Sequence, residues 1–336
     1  MNLSTAKYLI IITIGLIFYS CKNDPLDIDV SSVDVTLNVK RFDQQLFGYE
    51  KITDKEVDEL AKKYNPFYTA FIENIVSIGN VNDPSVYYYL NNFTHDKNIK
   101  SVQKDIDNLY NDFNDYEIGL KEAFQHYKFY FPNKNIPQII TYNSGFNYAV
   151  VTDSSYLGIG LEMFLGDKYP AYKQLGLPQY KIASMTNKHL VSSVMLGWIS
   201  TEFELEQANA DLLTEMVHQG KLLYVLDALI PIEEDSIKIN YTNKEVKWSN
   251  ANEKQVWFYF IDNDLLYTKE TKEIIKYMGE APFIQGFPEG SPGRIGHWIG
   301  WQIVKAYMDN NQELSLTDLI KEKDAQKILN KSKYKP

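Results

Sequence analysis

The sequence lacks many of the features that mark enzymes of known classes. It contains a single cysteine, Cys21, so no disulfide can form within the chain. It contains no glycine-rich phosphate loop and no Gly-x-Ser-x-Gly nucleophile motif. Basic residues are fewer than acidic residues, 34 against 44, and the net charge of −10 argues against nucleic acid and anionic lipid headgroups as partners.

The chain also lacks a hydrophobic run long enough to span a bilayer, but it begins with a shorter one. Lys7 precedes the uncharged run 8–19, YLIIITIGLIFY, and Ser20 follows it. A cationic start, a short apolar core and a small residue before the cleavage point are typical of a secretory signal, whereas a membrane span needs about 20 residues. We therefore predict a signal peptide over residues 1–20 rather than a single-pass anchor or a buried strand.

Cys21 stands where a bacterial lipobox places its acylated residue, directly after a small side chain. Phe18 and Tyr19 depart from the strict lipobox and fit the looser form expected in some Gram-negative bacteria. Stable anchoring needs more than one lipid chain, which a triacylated cysteine supplies. We predict lipidation of Cys21, a polar tether over residues 21–32, and a membrane-anchored lipoprotein of the cell envelope, facing the periplasm or in the outer membrane.

Residues 33–336 show no internal repeat and no further linker, which predicts one domain. Its first segment, 33–39, alternates apolar and polar residues with a period of two, as a β-strand does. Most of the remaining patterns are helical. The segment 53–56 is a capping box, and residues 99–113 repeat apolar side chains at steps of three and four.

The pattern changes after Pro137. Three short apolar stretches at 139–142, 147–151 and 156–161 are separated by polar turns, and this spacing predicts a small antiparallel β-meander. Helical patterns return after the meander and continue to the end of the chain. The sequence therefore predicts an α+β fold that is mostly α-helical.

The segment 214–218, Thr-Glu-Met-Val-His, lies on a predicted helix that follows the meander. Zinc peptidases of the zincin type carry His-Glu-x-x-His on such a helix: the two histidines bind the metal, and the glutamate acts on the bound water. Glu215 and His218 hold two of these positions, but Thr214 replaces the first histidine. Glu253, on the next predicted helix, is a candidate third ligand.

One imidazole and two carboxylates do not make the usual catalytic zinc site, so we predict no catalytic residues and no cofactor. The preferred interpretation is a degenerate zincin-like core in which Glu215 and His218 make hydrogen bonds within a helix pair. An atypical metal-dependent hydrolase that uses zinc is the alternative. The remaining histidines have no ligand spacing to one another; they are His95, His126, His189 and His297.

A second feature lies near the C-terminus, where residues 291–302 read SPGRIGHWIGWQ. Gly296 and Gly300 are four residues apart, so they share a helix face and permit the close approach of a neighbouring backbone. We expect this face to pack onto another helix. Trp298 and Trp301 lie beside the glycines, and we take them as candidate partner-binding anchors if their side chains are exposed.

Several segments together resemble the gliding motility lipoprotein GldB family over nearly the whole chain after the signal. They are the signal itself, VKRFD at 39–43, EMVHQGK at 215–221, NEKQVW at 252–257, SPG at 291–293, GWQIV at 300–304 and SKYKP at 332–336. The resemblance implies an envelope component needed for surface gliding, acting with other gliding proteins and with the linked secretion machinery. It carries over no catalytic residues. The family also resembles, distantly, predicted zinc proteases that keep the full His-Glu-x-x-His.

These observations predict an envelope lipoprotein that acts by binding other gliding-motility or secretion proteins of the envelope, not by catalysis. Its contact with the membrane is through the N-terminal lipid. The metal-dependent hydrolase is the alternative hypothesis. A glycan-binding module is a third hypothesis, for which the sequence shows no organised aromatic platform.

Overall fold

The computed structural model describes residues 25–206 and 208–336, so Cys21 and the predicted signal peptide lie outside the described residues. The fold is α+β and mostly helical, as predicted. The helices are α1 Phe42–Gly48, α2 Asp54–Tyr64, α3 Phe67–Ala70, α4 Val86–His95, α5 Lys97–Leu109, α6 Asn114–Tyr130, α7 Pro170–Gln174, α8 Gln179–Ile182, α9 Leu190–Glu202, α10 Leu212–Leu229, α11 Asp235–Ile239, α12 Asn243–Asp262, α13 Thr271–Met278, α14 Ile295–Asp309, α15 Leu316–Lys321 and α16 Ala325–Ser332.

Shorter helical turns complete the helical part. A π-helical turn covers Phe71–Ile75, and 3-10 turns cover Leu161–Phe164, Asn187–His189 and Leu265–Tyr267. The predicted capping box is present at Thr53, where the Glu56 carboxylate accepts a hydrogen bond from the Thr53 backbone N–H. No helix within residues 25–206 and 208–336 combines the length and the hydrophobicity required to cross a membrane.

Four short strands form a single mixed sheet. They are β1 Val39–Arg41, β2 Gln138–Tyr142, β3 Val150–Thr152 and β4 Tyr156–Gly160, in the spatial order β1-β2-β4-β3. β2 runs parallel to both β1 and β4, and only β3 pairs antiparallel, with β4. The antiparallel meander was therefore the wrong topology, although each of its three strands exists.

The connection after β2 explains the difference. It does not turn back into a hairpin, because the Glu162 carboxylate just after β4 holds it. One oxygen of Glu162 accepts hydrogen bonds from the Ser144 backbone N–H at 2.7 Å, the Ser144 hydroxyl at 2.6 Å and the Phe146 backbone N–H at 3.2 Å. The chain thus crosses the end of β4 before it enters β3 on the outer side of that strand.

The N-terminal part of the described chain lies against the body. Within the predicted tether, Val30 is buried and Leu26 packs against the main hydrophobic cluster. Residues 33–38 keep the predicted alternation of inward and exposed side chains, but the paired strand begins only at Val39.

The sheet lies between a large hydrophobic cluster and a smaller one. Ile139 and Ile159 belong to the large cluster, which α6, α9, α10 and α14 build, whereas Ile140 and Tyr142 belong to the cluster built by α1 to α4. Successive side chains of a strand face opposite sides of a sheet, so β2 contributes to both. Its central position and parallel pairing suit burial on both faces.

α10 is the central helix of the large cluster. Fourteen of its 18 residues are buried, which is expected of a helix enclosed on all sides. Its charged residues are Glu215, Lys221 and Asp227. Because a buried charge is unfavourable unless other groups stabilise it, the surroundings of these three side chains indicate where the fold has a special requirement.

Candidate functional site

Thr214, which replaces the first histidine of the zincin pattern, has a structural role at the start of α10. The N-cap residue Asp211 accepts hydrogen bonds from the Thr214 backbone N–H at 2.9 Å and from the Thr214 hydroxyl at 2.6 Å. A side-chain oxygen at the N-cap satisfies a helix donor that would otherwise lack a partner. The threonine hydroxyl therefore acts in helix capping.

Glu215 and His218 are half-buried on the same helix. Burial raises the pKa of Glu215 and lowers the pKa of His218 to about 4, with the Lys221 ammonium adding to the second effect. His218 is therefore neutral at pH 7. The predicted hydrogen bonds of this pair were wrong: in the described part of the chain neither side chain makes one, and both are partly open to solvent.

The fold also brings His297, at the start of α14, near His218. Burial, together with the positive charge of Arg294 and that of His218 when it is protonated, lowers the pKa of His297 to about 3. Two neutral imidazoles thus belong to the same region of the large cluster. His218 and His297 are 79 residues apart, and no ligand spacing in the sequence links them.

Glu253 lies in a different hydrogen-bonded cluster. Its Oε2 accepts a hydrogen bond from the indole N–H of Trp298 at 3.0 Å, and its Oε1 accepts one from the Tyr334 hydroxyl at 2.9 Å. The Tyr334 ring also packs edge-on against Trp257, with 5.2 Å between ring centroids. This carboxylate ties the C-terminal segment to α12 and α14.

The candidate ligands do not form a metal site in this arrangement. Among residues 25–206 and 208–336, no group of three or more histidine, cysteine, aspartate or glutamate side chains is placed to hold one metal ion. Glu215 and His218 share α10, whereas both oxygens of Glu253 accept hydrogen bonds from aromatic side chains.

Trp298 and Trp301 are buried, with 2% and 0% of their surfaces exposed. The indole N–H of Trp301 donates to Asp227 at 2.7 Å, and the Lys305 ammonium lies 3.7 Å from the centre of the Trp301 ring. The prediction that these side chains anchor a partner at the surface was therefore wrong. They are internal because α14 packs across the most buried helix of the fold.

The two glycines of α14 account for that packing, as predicted. A methyl group on Gly300 would overlap the Met216 carbonyl of α10, and a methyl group on Gly296 would overlap the Met278 sulfur. Gly220 on α10 faces the Gly300 carbonyl in the same way. The glycines let two helix backbones touch directly, which no larger residue permits.

A cavity of about 580 Å³ opens along α10 beside His218, and we call it the α10 cavity. Its lining includes Leu205, Thr214, Val217, His218, Lys221 and Ile320. The Lys221 side chain is buried, and its ammonium donates a hydrogen bond to the Glu322 carbonyl. Sequence reasoning missed Lys221, although its place three residues after His218, on the same face of an apolar helix, was a usable signal.

A larger cavity of about 850 Å³ lies elsewhere, between α8, α11 and the start of α14. Charged side chains of both signs line it, and two of them, Lys181 and Glu280, form an ion pair at 2.8 Å. Arg294 lines it as well, but its guanidinium already donates to the carbonyls of Ile239 and Asn240. Lys181, Glu280 and Arg294 thus already have partners in the protein.

The comparison with protein families shows which family the chain belongs to. A family model described as gliding motility protein GldB matches residues 23–336. The chain belongs to the GldB family. This is a family of gliding-motility lipoproteins, so the matched chain is a lipoprotein of that kind. No curated protein and no solved structure gives a significant match to the chain.

The segments that resembled the GldB family meet at one place in the structure. The segments 215–221, 252–257, 300–304 and 332–336 converge where α10, α12, α14 and α16 pack. Most of the GldB-like segments therefore lie at, or next to, the place where α10 crosses α14.

The segment 39–43 forms a separate buried polar cluster of the GldB fold at the edge of the sheet. The Arg41 guanidinium binds the fully buried Asp43 carboxylate in a bidentate pair, at 2.7 and 3.1 Å. Thr141 on β2 donates to the same carboxylate at 2.5 Å, and Arg41 also donates to the Tyr110 carbonyl at 2.8 Å. This cluster joins β1 to β2 and to the end of α5.

Proposed function

We propose that this member of the GldB family is held on an envelope membrane by lipid on Cys21 and supports gliding motility and its associated secretion machinery by binding protein partners. In this proposal it does not catalyse a reaction. The observation that supports the absence of catalysis is the hydrogen bonding of the Glu253 carboxylate. Both of its oxygens accept hydrogen bonds from aromatic donors, the buried Trp298 and the partly buried Tyr334, so both oxygens already have partners within the protein.

The start of α10 supports the same conclusion. Thr214 uses its hydroxyl to bond Asp211, and a neutral hydroxyl is a poor substitute for an imidazole as a zinc ligand. His218 alone then supplies the imidazole that a zincin helix normally provides twice. A metal held only by His218 and Glu215 would lack the three protein ligands of a catalytic zinc site.

Binding of partner proteins is supported by exposed aromatic side chains outside the core. Tyr87, Tyr88 and Tyr89 follow one another on α4 and are all exposed, Tyr88 to 57%. The rings of Tyr88 and Tyr89 pack edge to face at 5.8 Å. Tyrosine is enriched at the centres of protein interfaces, because it offers a large apolar surface with a polar end.

Metal analysis of the purified full-length chain tests the non-catalytic part. We expect zinc well below one equivalent, with no difference between the wild type and a His218→Ala variant. A Glu253→Gln variant serves as the matched control for the second candidate ligand. One equivalent of zinc that is lost in His218→Ala would overturn the proposal and favour the metal-dependent hydrolase.

Affinity capture from envelopes in mild detergent tests the partner-binding part. We expect a defined set of envelope proteins to co-purify with the tagged wild-type chain, and fewer of them with a Tyr88→Ala variant. The matched control is Phe258→Ala, which removes an aromatic side chain of comparable exposure, 49%, from α12. The absence of any co-purifying envelope protein with the wild type would contradict partner binding.

A further inference from the structure

Lys221 is a buried cation that makes no close ion pair in the described part of the chain. The residue is 8% exposed, and no carboxylate oxygen of residues 25–206 and 208–336 lies within 4 Å of its ammonium. The ammonium donates one hydrogen bond, to the Glu322 carbonyl. Because an ammonium has three N–H donors, two remain for another acceptor. Buried charges in proteins are normally paired, so this one is an exception that calls for a ligand.

Three of the four acidic groups around the α10 cavity form ion pairs with other lysines. Glu202 pairs with Lys134 at 2.8 Å, and the Glu322 carboxylate pairs with Lys327 at 2.5 Å. Glu206, at the rim, pairs with Lys323. Glu204 is exposed on the rim. None of these carboxylates lies within 4 Å of the Lys221 ammonium, and the Glu322 carboxylate attracts it only from a greater distance.

The cavity that Lys221 faces has the size and composition of a binding site. Its volume of about 580 Å³ falls within the roughly 300–1,000 Å³ of ligand sites in proteins. Val217, Leu205 and Ile320 give it apolar walls. Burial lowers the pKa of Lys221 to about 8, so the ammonium stays mostly protonated at neutral pH, while His218 remains neutral beside it.

We propose that the α10 cavity binds one carboxylate group of a peptide segment from a partner protein, with the Lys221 ammonium as its counter-ion. This proposal rests on the proposed function, because it names the chemistry that a partner would present. The apolar walls suit the side chains that flank the carboxylate, and His218 offers a further hydrogen bond. The carboxylate is either the free C-terminus of the partner or an aspartate or glutamate side chain.

The charges favour a carboxylate over a phosphate. Of the three lysines that line the cavity, only Lys221 is buried, whereas phosphate sites commonly use the fork of an arginine or several cations together. Glu204, an exposed carboxylate on the rim for which no ion pair is formed in the described part of the chain, would repel a doubly charged group more strongly than a singly charged one. A monovalent carboxylate is therefore the better match.

Calorimetric titration of the full-length chain in detergent micelles tests the site with three tetra-alanine probes. The first probe has a free C-terminal carboxylate, the second is its amide, and the third is an amide with one alanine replaced by glutamate. We expect the first or the third to bind and the second to bind at least about tenfold more weakly. Equal binding of the amide, tighter binding of inorganic phosphate, or no binding of any probe would overturn the proposal.

Matched variants locate the binding. Lys221→Met should weaken binding of the carboxylate probe at least about tenfold, while Lys321→Met, which removes an exposed lysine from the same cavity, should change it little. Titration of the Lys221 ammonium by NMR in the wild type is independent of any folding defect in the variant. The bound carboxylate should raise the pKa of Lys221, and an unchanged pKa at saturating probe would refute the site.

Affinity capture separates failure of this site from failure of the proposed function. If Lys221→Met captures the same envelope proteins as the wild type, the carboxylate site is wrong and partner binding stands. If the wild type captures no envelope protein, partner binding itself fails, whatever the peptide titrations show. Loss of captured proteins in Lys221→Met but not in Lys321→Met supports both.

Discussion

Gly220 and Gly300 lie backbone to backbone where α10 crosses α14. A methyl group on Gly220 would overlap the Gly300 carbonyl, and one on Gly300 would overlap the Met216 carbonyl. Backbone atoms cannot move aside as a flexible side chain can, so the crossing depends on both glycines. It also sets the places of Lys221 on one helix and Trp301 on the other.

Replacing Gly300 tests the importance of this crossing. Gly300→Ala should lower the free energy of unfolding by about 3 kcal/mol, because the added methyl group forces the two helices apart in a closely packed core. The measurement is urea unfolding followed by circular dichroism. Gly48→Ala is the matched control: nothing lies within 4 Å of its added methyl group, and the change should stay within about 1 kcal/mol. Equal stability of the two variants would contradict the packing argument.

Removing the charge of Asp227 tests the buried ion pair at the end of α10. Its carboxylate lies 3.0 Å from the Lys238 ammonium, and both side chains are almost fully buried. Asp227→Asn should lower the free energy of unfolding by about 3–5 kcal/mol, because it leaves a buried cation unpaired. Glu280→Gln, which breaks the exposed pair with Lys181, should cost at most about 1 kcal/mol. A change of less than about 1 kcal/mol in Asp227→Asn would contradict a stabilising role for this buried pair.

Glu162 should make the protein less stable as the pH rises from about 4.5 through about 7. Burial raises the pKa of Glu162 to about 7 from 4.5, although Ser144 donates two hydrogen bonds to it. The contribution of this group is thus complete below pH 4.5 and is lost as the pH rises through about 7. Between pH 4.5 and pH 8, the wild type should lose roughly 2–3 kcal/mol more of its free energy of unfolding than Glu162→Gln does. If the melting temperatures of the wild type and Glu162→Gln changed with pH in the same way, the raised pKa of Glu162 would be refuted.

His218 should make the protein less stable as the pH falls, which is the opposite of the effect of Glu162. Burial lowers its pKa to about 4 from 6.5, so the folded state binds a proton less readily than the unfolded state. Its contribution is present above pH 6.5 and is lost as the pH falls toward 4. His218→Gln should reduce the loss of stability across this window by about 1–2 kcal/mol, a figure that allows for solvent screening. An imidazole that titrates near pH 6.5 in NMR spectra would contradict the prediction.

Cys21→Ser tests the lipid anchor. We expect the variant to leave the membrane fraction and to lose labelling by palmitate, because the serine hydroxyl is not acylated in place of the thiol. Gliding or the associated secretion should fail with it, although the folded body is unchanged. Fractionation of the envelope measures the first effect. Ser20→Ala is the control, because alanine is also a small residue before the cleavage point, and retention of Cys21→Ser on the membrane would contradict the prediction.

Local patterns in the sequence were enough to predict a mostly helical fold, the approximate positions of β2, β3 and β4, and the glycine contact of α14. These features depend on neighbours three or four residues away on a helix, or two on a strand, and such spacing is visible in the chain itself. The family could also be predicted from the sequence, because the segments at 215–221, 300–304 and 332–336 together resemble GldB, and the family model confirmed it.

Only the tertiary structure decided the sheet topology and the character of the site. The parallel pairing of β2 with β4 depends on Glu162 holding the loop at Ser144, a contact between residues 18 positions apart. The burial of Trp298 depends on which helix α14 packs against, and so does the unpaired charge of Lys221. Local periodicity records which face of a helix is apolar, but it does not record what covers that face, because the covering residues come from distant parts of the chain.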